Sequence, residues 1–130
     1  MDPAVHIHHI FPKAEYPEIC YYYENLIALT PTQHLSYAHP LGRTQEINEQ
    51  YQHLLLLSKT DRIKENITDN NTTEIYEFSN LVHVLSVGFE EDDILEIDDM
   101  DFPMVIHAIN MHYGEVETLR VAEDNVGYRP

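Results

Sequence analysis

The chain has 130 residues, of which 23 are Asp or Glu and 7 are Lys or Arg, so its formal net charge at pH 7 is −16. This length suits one domain, or a compact core with an appendage, and permits a modest hydrophobic core. The single cysteine, Cys20, excludes an intrachain disulfide. No apolar stretch reaches about 18 residues and no signal-peptide layout is visible, so we expect a soluble, cytoplasmic protein with no membrane span.

The first 40 residues predict a strand, a second strand and a helix. Residues 5–10 alternate in the manner of a short strand, which Pro12 prevents from continuing as a central strand. Residues 25–29 form a second short apolar run that is long enough to pair back on the first. Residues 30–33 then carry a capping pattern with Pro at the first helical position, and Pro40 ends the helix within two to three turns.

Four polar side chains on these elements form a candidate catalytic constellation: His8, His9, Asn25 and His34. Asn25 follows His9 by 25 − 9 = 16 positions, and His34 follows Asn25 by 34 − 25 = 9 positions. Two neutral imidazoles from separate elements can hold a divalent ion and leave positions open for water and phosphate oxygens. A third imidazole can accept a proton from water near neutral pH.

This segment, residues 5–40, resembles the HNH endonuclease family, the ββα-metal nucleases. The resemblance implies a ββα-metal core, and with the additional C-terminal helices that the residue patterns below predict, the expected fold class is α+β. It also implies that His8 and His34 bind the metal, that His9 is the general base, and that Asn25 fixes the loop and the base. The implied reaction is hydrolysis of DNA phosphodiester bonds.

The chain departs from parts of the family pattern. Many HNH proteins carry two Cys-x-x-Cys pairs for a structural zinc, which one cysteine cannot provide. Colicin-like members have another histidine four residues after the helix ligand, where this chain has Ala38. His39 is the nearest histidine, and it is either an additional ligand or a residue that caps or edges the core. Asn25 has an alternative interpretation as a residue that starts a turn.

Neighbouring residues on a regular strand point to opposite faces. His8 and His9 therefore address one phosphate only from opposite sides of it, or if the strand bends between them. We interpret His6, which shares a face with His8, as a strand residue.

The expected cofactor is one divalent ion, either Mg, Mn, Ni or Zn. Imidazole accepts Zn, Ni and Mn, whereas Mg prefers oxygen ligands. Lys13 and Arg43 are the candidate substrate-binding residues. Arg43 also belongs to a cluster with Lys59, Arg62 and Lys64, which either contacts backbone phosphates or forms an ordinary solvated helix face.

The rest of the chain is predicted to be mainly helical. Residues 44–67 form a long helical candidate whose apolar face contains Ile47, Tyr51, Leu54, Leu55 and Ile63. The polar residues 68–73 then mark a boundary between a nuclease core with its long helix, residues 1–67, and an acidic extension, residues 68–130. Within the extension we expect helices over residues 74–88 and 102–113, the second ended by Gly114.

Acidity is concentrated in that extension. Residues 68–130 contain 2 basic and 15 acidic residues, which gives −13 of the total −16. The acidic segment, residues 90–101, lacks the glycine turn and ligand order of an EF-hand. We interpret it as a solvated negative face that docks onto a basic partner or covers the phosphate-binding surface. The remaining histidines have no partner pattern and are interpreted as structural: His53, His83, His107 and His112.

The sequence therefore favours a small HNH-type nuclease that acts on DNA. The low positive charge indicates that targeting comes from a partner protein, a homo-oligomer or a larger complex such as that of a phage or a mobile element. One alternative is a catalytically silent interaction or assembly module with the same fold, which the charge favours. Another is a toxin-like nuclease restrained by its own acidic part.

Overall fold

The computed structural model describes residues 5–30 and 49–114. Their elements are, in chain order, β1 (His6–His9), β2 (Leu26–Leu29), α1 (Glu49–Thr68), α2 (Phe78–Phe89) and α3 (Phe102–Tyr113). Short 3-10 helices lie at Pro17–Ile19, Tyr23–Asn25 and Asp92–Glu96. This combination is α+β, as expected. The helix predicted after Thr30 lies outside the described residues, so the ββα-metal core stays a prediction.

The two strands form an antiparallel pair, which confirms the predicted hairpin. His6 is opposite Leu29 and His9 is opposite Leu26, with no residue left over in between. The backbone N–H of Ile10 continues the ladder by donating to the carbonyl of Asn25 at 2.8 Å. Pro12 follows this last bond, where its missing N–H does not interrupt the ladder.

Helix α3 has the bounds that its local signals predict. The Asp101 side chain accepts a hydrogen bond from the Met104 N–H, which satisfies one of the first-turn donors. Pro103 occupies the first turn, where no N–H is required. Gly114 ends the helix with a φ of 67°, a conformation that glycine adopts without a steric penalty.

Helix α2 begins four residues later than predicted, at Phe78 instead of Glu74. The side chains of Asn66 and Glu24 bind the backbone N–H groups of the residues before this helix. The N–H groups of Ile75 and Tyr76 donate to Asn66 Oδ1 at 2.8 and 3.2 Å, and that of Glu77 donates to Glu24 Oε2 at 2.9 Å. These bonds satisfy the donors in an extended conformation, so the helix starts after them.

The buried face of α1 differs from the predicted apolar face. Leu55 and Ile63 are buried as expected, but Leu54 is 54% exposed. Four polar residues of the helix are buried instead: Gln52, His53, Lys59 and Thr60. Residue hydrophobicity alone does not identify this face, because three of the four polar side chains have hydrogen-bond partners inside the fold.

One hydrophobic core joins the hairpin and all three helices. It contains Ile10 and Phe11 after β1, Leu56 on α1, Leu85 on α2 and Ile109 on α3. Buried residues before and after the predicted boundary between residues 67 and 68 thus pack in the same core. The division into a nuclease core and an acidic extension stays a prediction.

No helix in the described ranges is both long enough and apolar enough to cross a membrane. In the acidic segment the carboxylate side chains are exposed, except for the half-buried Asp101, and Ile94 is buried. The charged residues thus face solvent, as the sequence predicts for a solvated negative face.

Candidate active site

The candidate site is built on the β1–β2 hairpin, which carries His8, His9 and Asn25. The ladder register runs through both histidines without a bulge. The two imidazoles therefore leave β1 on opposite faces of the sheet. The described hairpin thus has no bend between His8 and His9. The arrangement that is left is the one in which the two side chains address a phosphate from opposite sides.

His9 is half-buried, and its ring is held by the loop between the strands. Its Nε2 lies 3.1 Å from the backbone carbonyl oxygen of Cys20. A carbonyl only accepts hydrogen bonds, so this contact requires the proton on Nε2 and leaves a lone pair on Nδ1 in the neutral ring. Nδ1 has no hydrogen-bond partner among residues 5–30 and 49–114. The ring is thus fixed in the tautomer that can accept a proton through Nδ1.

Asn25 is fully buried and fastens that loop to the strands. Its Oδ1 accepts a hydrogen bond from the Phe11 N–H at 2.8 Å. Its Nδ2 donates to the carbonyls of Phe11, at 3.1 Å, and Ile19, at 3.3 Å. Ile19 directly precedes Cys20, so Asn25 holds the peptide next to the carbonyl that orients His9. Asn25 also ends a 3-10 helix, Tyr23–Asn25, so it has both a local turn position and a loop-fixing contact.

His8 lies on the other face of the hairpin and is only 6% exposed. A buried imidazole fits two roles, a metal ligand shielded from bulk water or a histidine packed in a core. The second predicted ligand, His34, lies outside the described residues, as do His39 and Arg43. Within the described part of the chain, no three His, Cys, Asp or Glu side chains are grouped in a way that could hold a metal ion.

The predicted cations differ in their surroundings. Lys13 is exposed on the loop after β1, with its Nζ 6.0 Å from the centre of the Tyr21 ring, so its charge is accessible to a ligand. Lys59 is only 6% exposed, and its Nζ donates to the Tyr76 hydroxyl at 2.7 Å. The alternative of Lys59 as part of a solvated helix face is therefore wrong, because its side chain is buried and its ammonium donates to Tyr76.

Sequence reasoning missed the part played by Cys20. Its contribution is a backbone carbonyl, and a backbone group leaves no residue-type signal in a sequence. Sequence reasoning also missed Gln52, whose Nε2 donates to the carbonyl of Ile10 at 2.8 Å and so ties α1 to the end of β1. Its position on a helix face next to apolar residues is the only signal that could have identified it.

His53 and His112 have structural partners. His53 Nε2 lies 2.8 Å from Asn110 Oδ1, and the ring stacks on Tyr113 with centres 4.8 Å apart. The His112 ring stacks on Phe89 with centres 3.8 Å apart. These contacts agree with the interpretation of both histidines as structural.

Comparisons of the chain with protein-family models, with curated proteins and with solved structures found no match.

Proposed function

We propose that this protein is a metal-dependent endonuclease of the HNH type that hydrolyses phosphodiester bonds, with DNA as the expected substrate. The observation that carries the proposal is the state of His9. Its ring is fixed by the Cys20 carbonyl, and its Nδ1 has no partner in the described residues. This is the arrangement that a general base requires.

In the proposed reaction, His9 removes a proton from water through Nδ1 as the water oxygen attacks phosphorus. The bond from phosphorus to the 3′ oxygen breaks, and this oxygen takes a proton from solvent, which leaves a 5′ phosphate and a 3′ hydroxyl. His9 then releases its proton to solvent. Asn25 acts as a positioning residue, because it holds the loop that orients the base. Lys13, which is exposed on the same loop, would bind a neighbouring phosphate.

His8 and His34 would hold one divalent ion, and imidazole ligands favour Zn, Ni or Mn over Mg. Such an ion supplies Lewis-acid polarisation of the phosphate and stabilisation of the leaving oxygen.

The test is plasmid cleavage at low salt with Mg, Mn, Ni or Zn. We expect His9→Ala to lower the rate by about 100-fold or more, which is the usual contribution of a general base. His107→Ala, which removes an exposed histidine of α3, is the matched control and should cleave at the wild-type rate. A folded His9→Ala protein that cleaves normally would exclude the proposed base.

Metal binding gives a second readout that does not depend on cleavage. We expect calorimetric titration with Mn or Zn to show one site per chain, weakened about 10-fold or more by His34→Ala and by His8→Ala. Unchanged affinity in both variants would place the ion elsewhere.

A catalytically silent interaction module is the second candidate. The net charge of −16 favours it, because it opposes the approach of a polyanion. This alternative predicts no cleavage by the wild type with any of the four ions, and stable association with a basic protein.

A further inference from the structure

A groove of about 760 Å³ lies between β2 residues and α1 residues that line it together. We call it the β2 groove. Its lining includes Leu26–Leu29 of β2, Tyr51, Leu55 and Arg62 of α1, and Ile7 and Ile75. All four residues of β2 contribute, so the groove follows the backbone of the strand.

Within residues 5–30 and 49–114, no strand pairs with the backbone edge of β2 that faces away from β1. In an antiparallel pair, every second residue bonds its partner strand and the residues between direct their N–H and C=O outward. The bond from Ile10 to Asn25 assigns Leu29, Ile27 and Asn25 to the β1 side. Leu26 and Ala28 therefore face the groove.

Two of the outward groups belong to Ala28. Its N–H and C=O have no hydrogen-bond partner among the described residues, and Ala28 is exposed. The N–H of Leu26 is already bonded to the Tyr23 carbonyl, which leaves the Leu26 carbonyl as the third outward group. An open strand edge of this kind is a template for another strand.

The side chains around this edge are apolar and exposed. Ile7 is 62% exposed, Tyr23 is 60% exposed and Ile75 is 54% exposed, and all three line the groove. Alternate side chains of an added strand would cover these residues. The groove therefore offers apolar contacts as well as backbone hydrogen bonds.

The charge of the groove is opposite to that of the chain. Among the described residues its lining contains Lys59 and Arg62 and no carboxylate, although 23 of the 130 residues are acidic. Arg62 is exposed and has no ion-pair partner in the described ranges. A guanidinium in this position favours a carboxylate on the ligand.

We propose that the β2 groove binds an extended acidic peptide of a partner protein, which adds to β2 as a third strand. Its backbone pairs with Ala28 and the Leu26 carbonyl, and an Asp or Glu of the peptide pairs with Arg62. The backbone of a nucleic acid matches this edge less well than a peptide backbone does, because a phosphodiester has no donor for the Leu26 and Ala28 carbonyls. The proposal is independent of the nuclease activity.

The experiment selects binders to the immobilised full-length chain from a displayed library of random twelve-residue peptides. We expect enriched peptides with alternating apolar residues and at least one Asp or Glu. Their affinity, measured by fluorescence anisotropy, should fall about 10-fold or more in Arg62→Glu, because a paired charge becomes a repelled one. Lys64→Glu changes an exposed cation outside the groove and should leave the affinity within about twofold of wild type.

The backbone contact has its own matched pair of variants. Ala28→Pro removes the outward N–H and leaves the bonds to β1 intact, whereas Ala28→Val keeps the N–H. We expect about 10-fold weaker peptide binding in Ala28→Pro than in Ala28→Val. In case the proline variant fails to fold, hydrogen exchange on the wild type gives the same information, since bound peptide should slow exchange of the Ala28 amide about 10-fold or more.

Four results would overturn the proposal. The first is that no peptide is enriched. The second is that peptide affinity is unchanged in Arg62→Glu and that bound peptide does not slow exchange of the Ala28 amide. The third is that exchange of the Ala28 amide is already slow in the free chain. The fourth is Arg62-dependent binding of a labelled single-stranded oligonucleotide in place of peptides, which would assign the groove to nucleic acid.

Discussion

Asn25 shows how one buried side chain can determine a loop. Its amide makes three hydrogen bonds, to the N–H and carbonyl of Phe11 and to the carbonyl of Ile19. The side chain has no exposed surface, so water cannot replace these bonds.

We expect Asn25→Ala to lower the free energy of unfolding by about 2–4 kcal/mol, because it leaves a buried N–H without a partner. Urea unfolding measures this loss. Asn66→Ala is the matched control, since Asn66 also makes three hydrogen bonds, to Thr73, Ile75 and Tyr76, but is only half-buried. That variant should lose about 1 kcal/mol or less, because water reaches the site. Equal losses in the two variants would contradict the role of burial.

Gly88 is required for packing and not for chain flexibility. A Cβ built at Gly88 would overlap the ring of Phe11. That ring is 2% exposed and makes edge contacts with Tyr16 and Phe89, so it has little space to move.

We therefore expect Gly88→Ala to lower stability by about 1–3 kcal/mol through overpacking. Helix propensity alone predicts the opposite sign, a gain of up to about 1 kcal/mol. Combining Gly88→Ala with Phe11→Leu should cost less than the sum of the two single changes, because the smaller side chain makes room for the methyl group. A stabilised Gly88→Ala protein would show that Phe11 shifts without cost.

The bounds of a helix can be predicted from the sequence where the contacts that determine them are local. The bounds of α3 could be predicted because its cap, Pro103 and Gly114 are local signals. The start of α2 could not, because Asn66 and Glu24 are distant in sequence from the N–H groups they bind. The strand pairing followed from apolar runs, whereas the orientation of His9 depends on a backbone carbonyl.

The junction of α1 and α3 is a polar network that periodicity does not reveal. Gln52 donates to the Ile10 carbonyl and accepts from the Tyr113 hydroxyl, and His53 binds Asn110. Burial, with a smaller effect from the nearby Glu49 carboxylate, raises the pKa of the Tyr113 hydroxyl well above its ordinary value of 10.0.

This shift predicts alkaline destabilisation. Above about pH 10 the unfolded chain loses the Tyr113 proton while the folded protein keeps it, so the free energy of unfolding falls as pH rises. We expect urea unfolding between pH 8 and 11 to show a shallower fall for Tyr113→Phe than for the wild type. Tyr21→Phe, which alters a side chain that is 84% exposed, should keep the wild-type slope. Parallel slopes for wild type and Tyr113→Phe would exclude Tyr113 as the titrating group.

At the scale of the whole molecule, the acidic segment is attached to the core and not separate from it. Ile94 is buried within the segment, and α2 and α3 on either side of it supply buried core residues. Removal of residues 68–130 would therefore remove much of the core. The relation between acidity and nucleic acid must be tested by substitutions at the surface.

If the acidic segment covers the phosphate-binding surface, neutralising it should favour DNA. We expect the triple change Asp92→Asn, Asp93→Asn and Asp98→Asn to raise the rate of plasmid cleavage at low salt by about 3-fold to 10-fold, because electrostatic repulsion of the substrate decreases. Duplex binding, measured by fluorescence anisotropy, should strengthen in parallel. The effect should largely disappear at 0.15 M salt, where charges are screened beyond about 8 Å.

The control separates the position of the charges from their number. It neutralises three exposed carboxylates outside the segment, namely Asp61, Glu65 and Glu74. Both variants therefore change the net charge from −16 to −13. If the acidic segment itself covers the phosphate-binding surface, the control should keep a cleavage rate and a duplex affinity close to those of the wild type. If net charge alone matters, the cleavage rate and the duplex affinity should rise equally in both variants. An equal rise would contradict covering by the segment, and no rise in the acidic-segment variant would mean that these carboxylates do not compete with DNA.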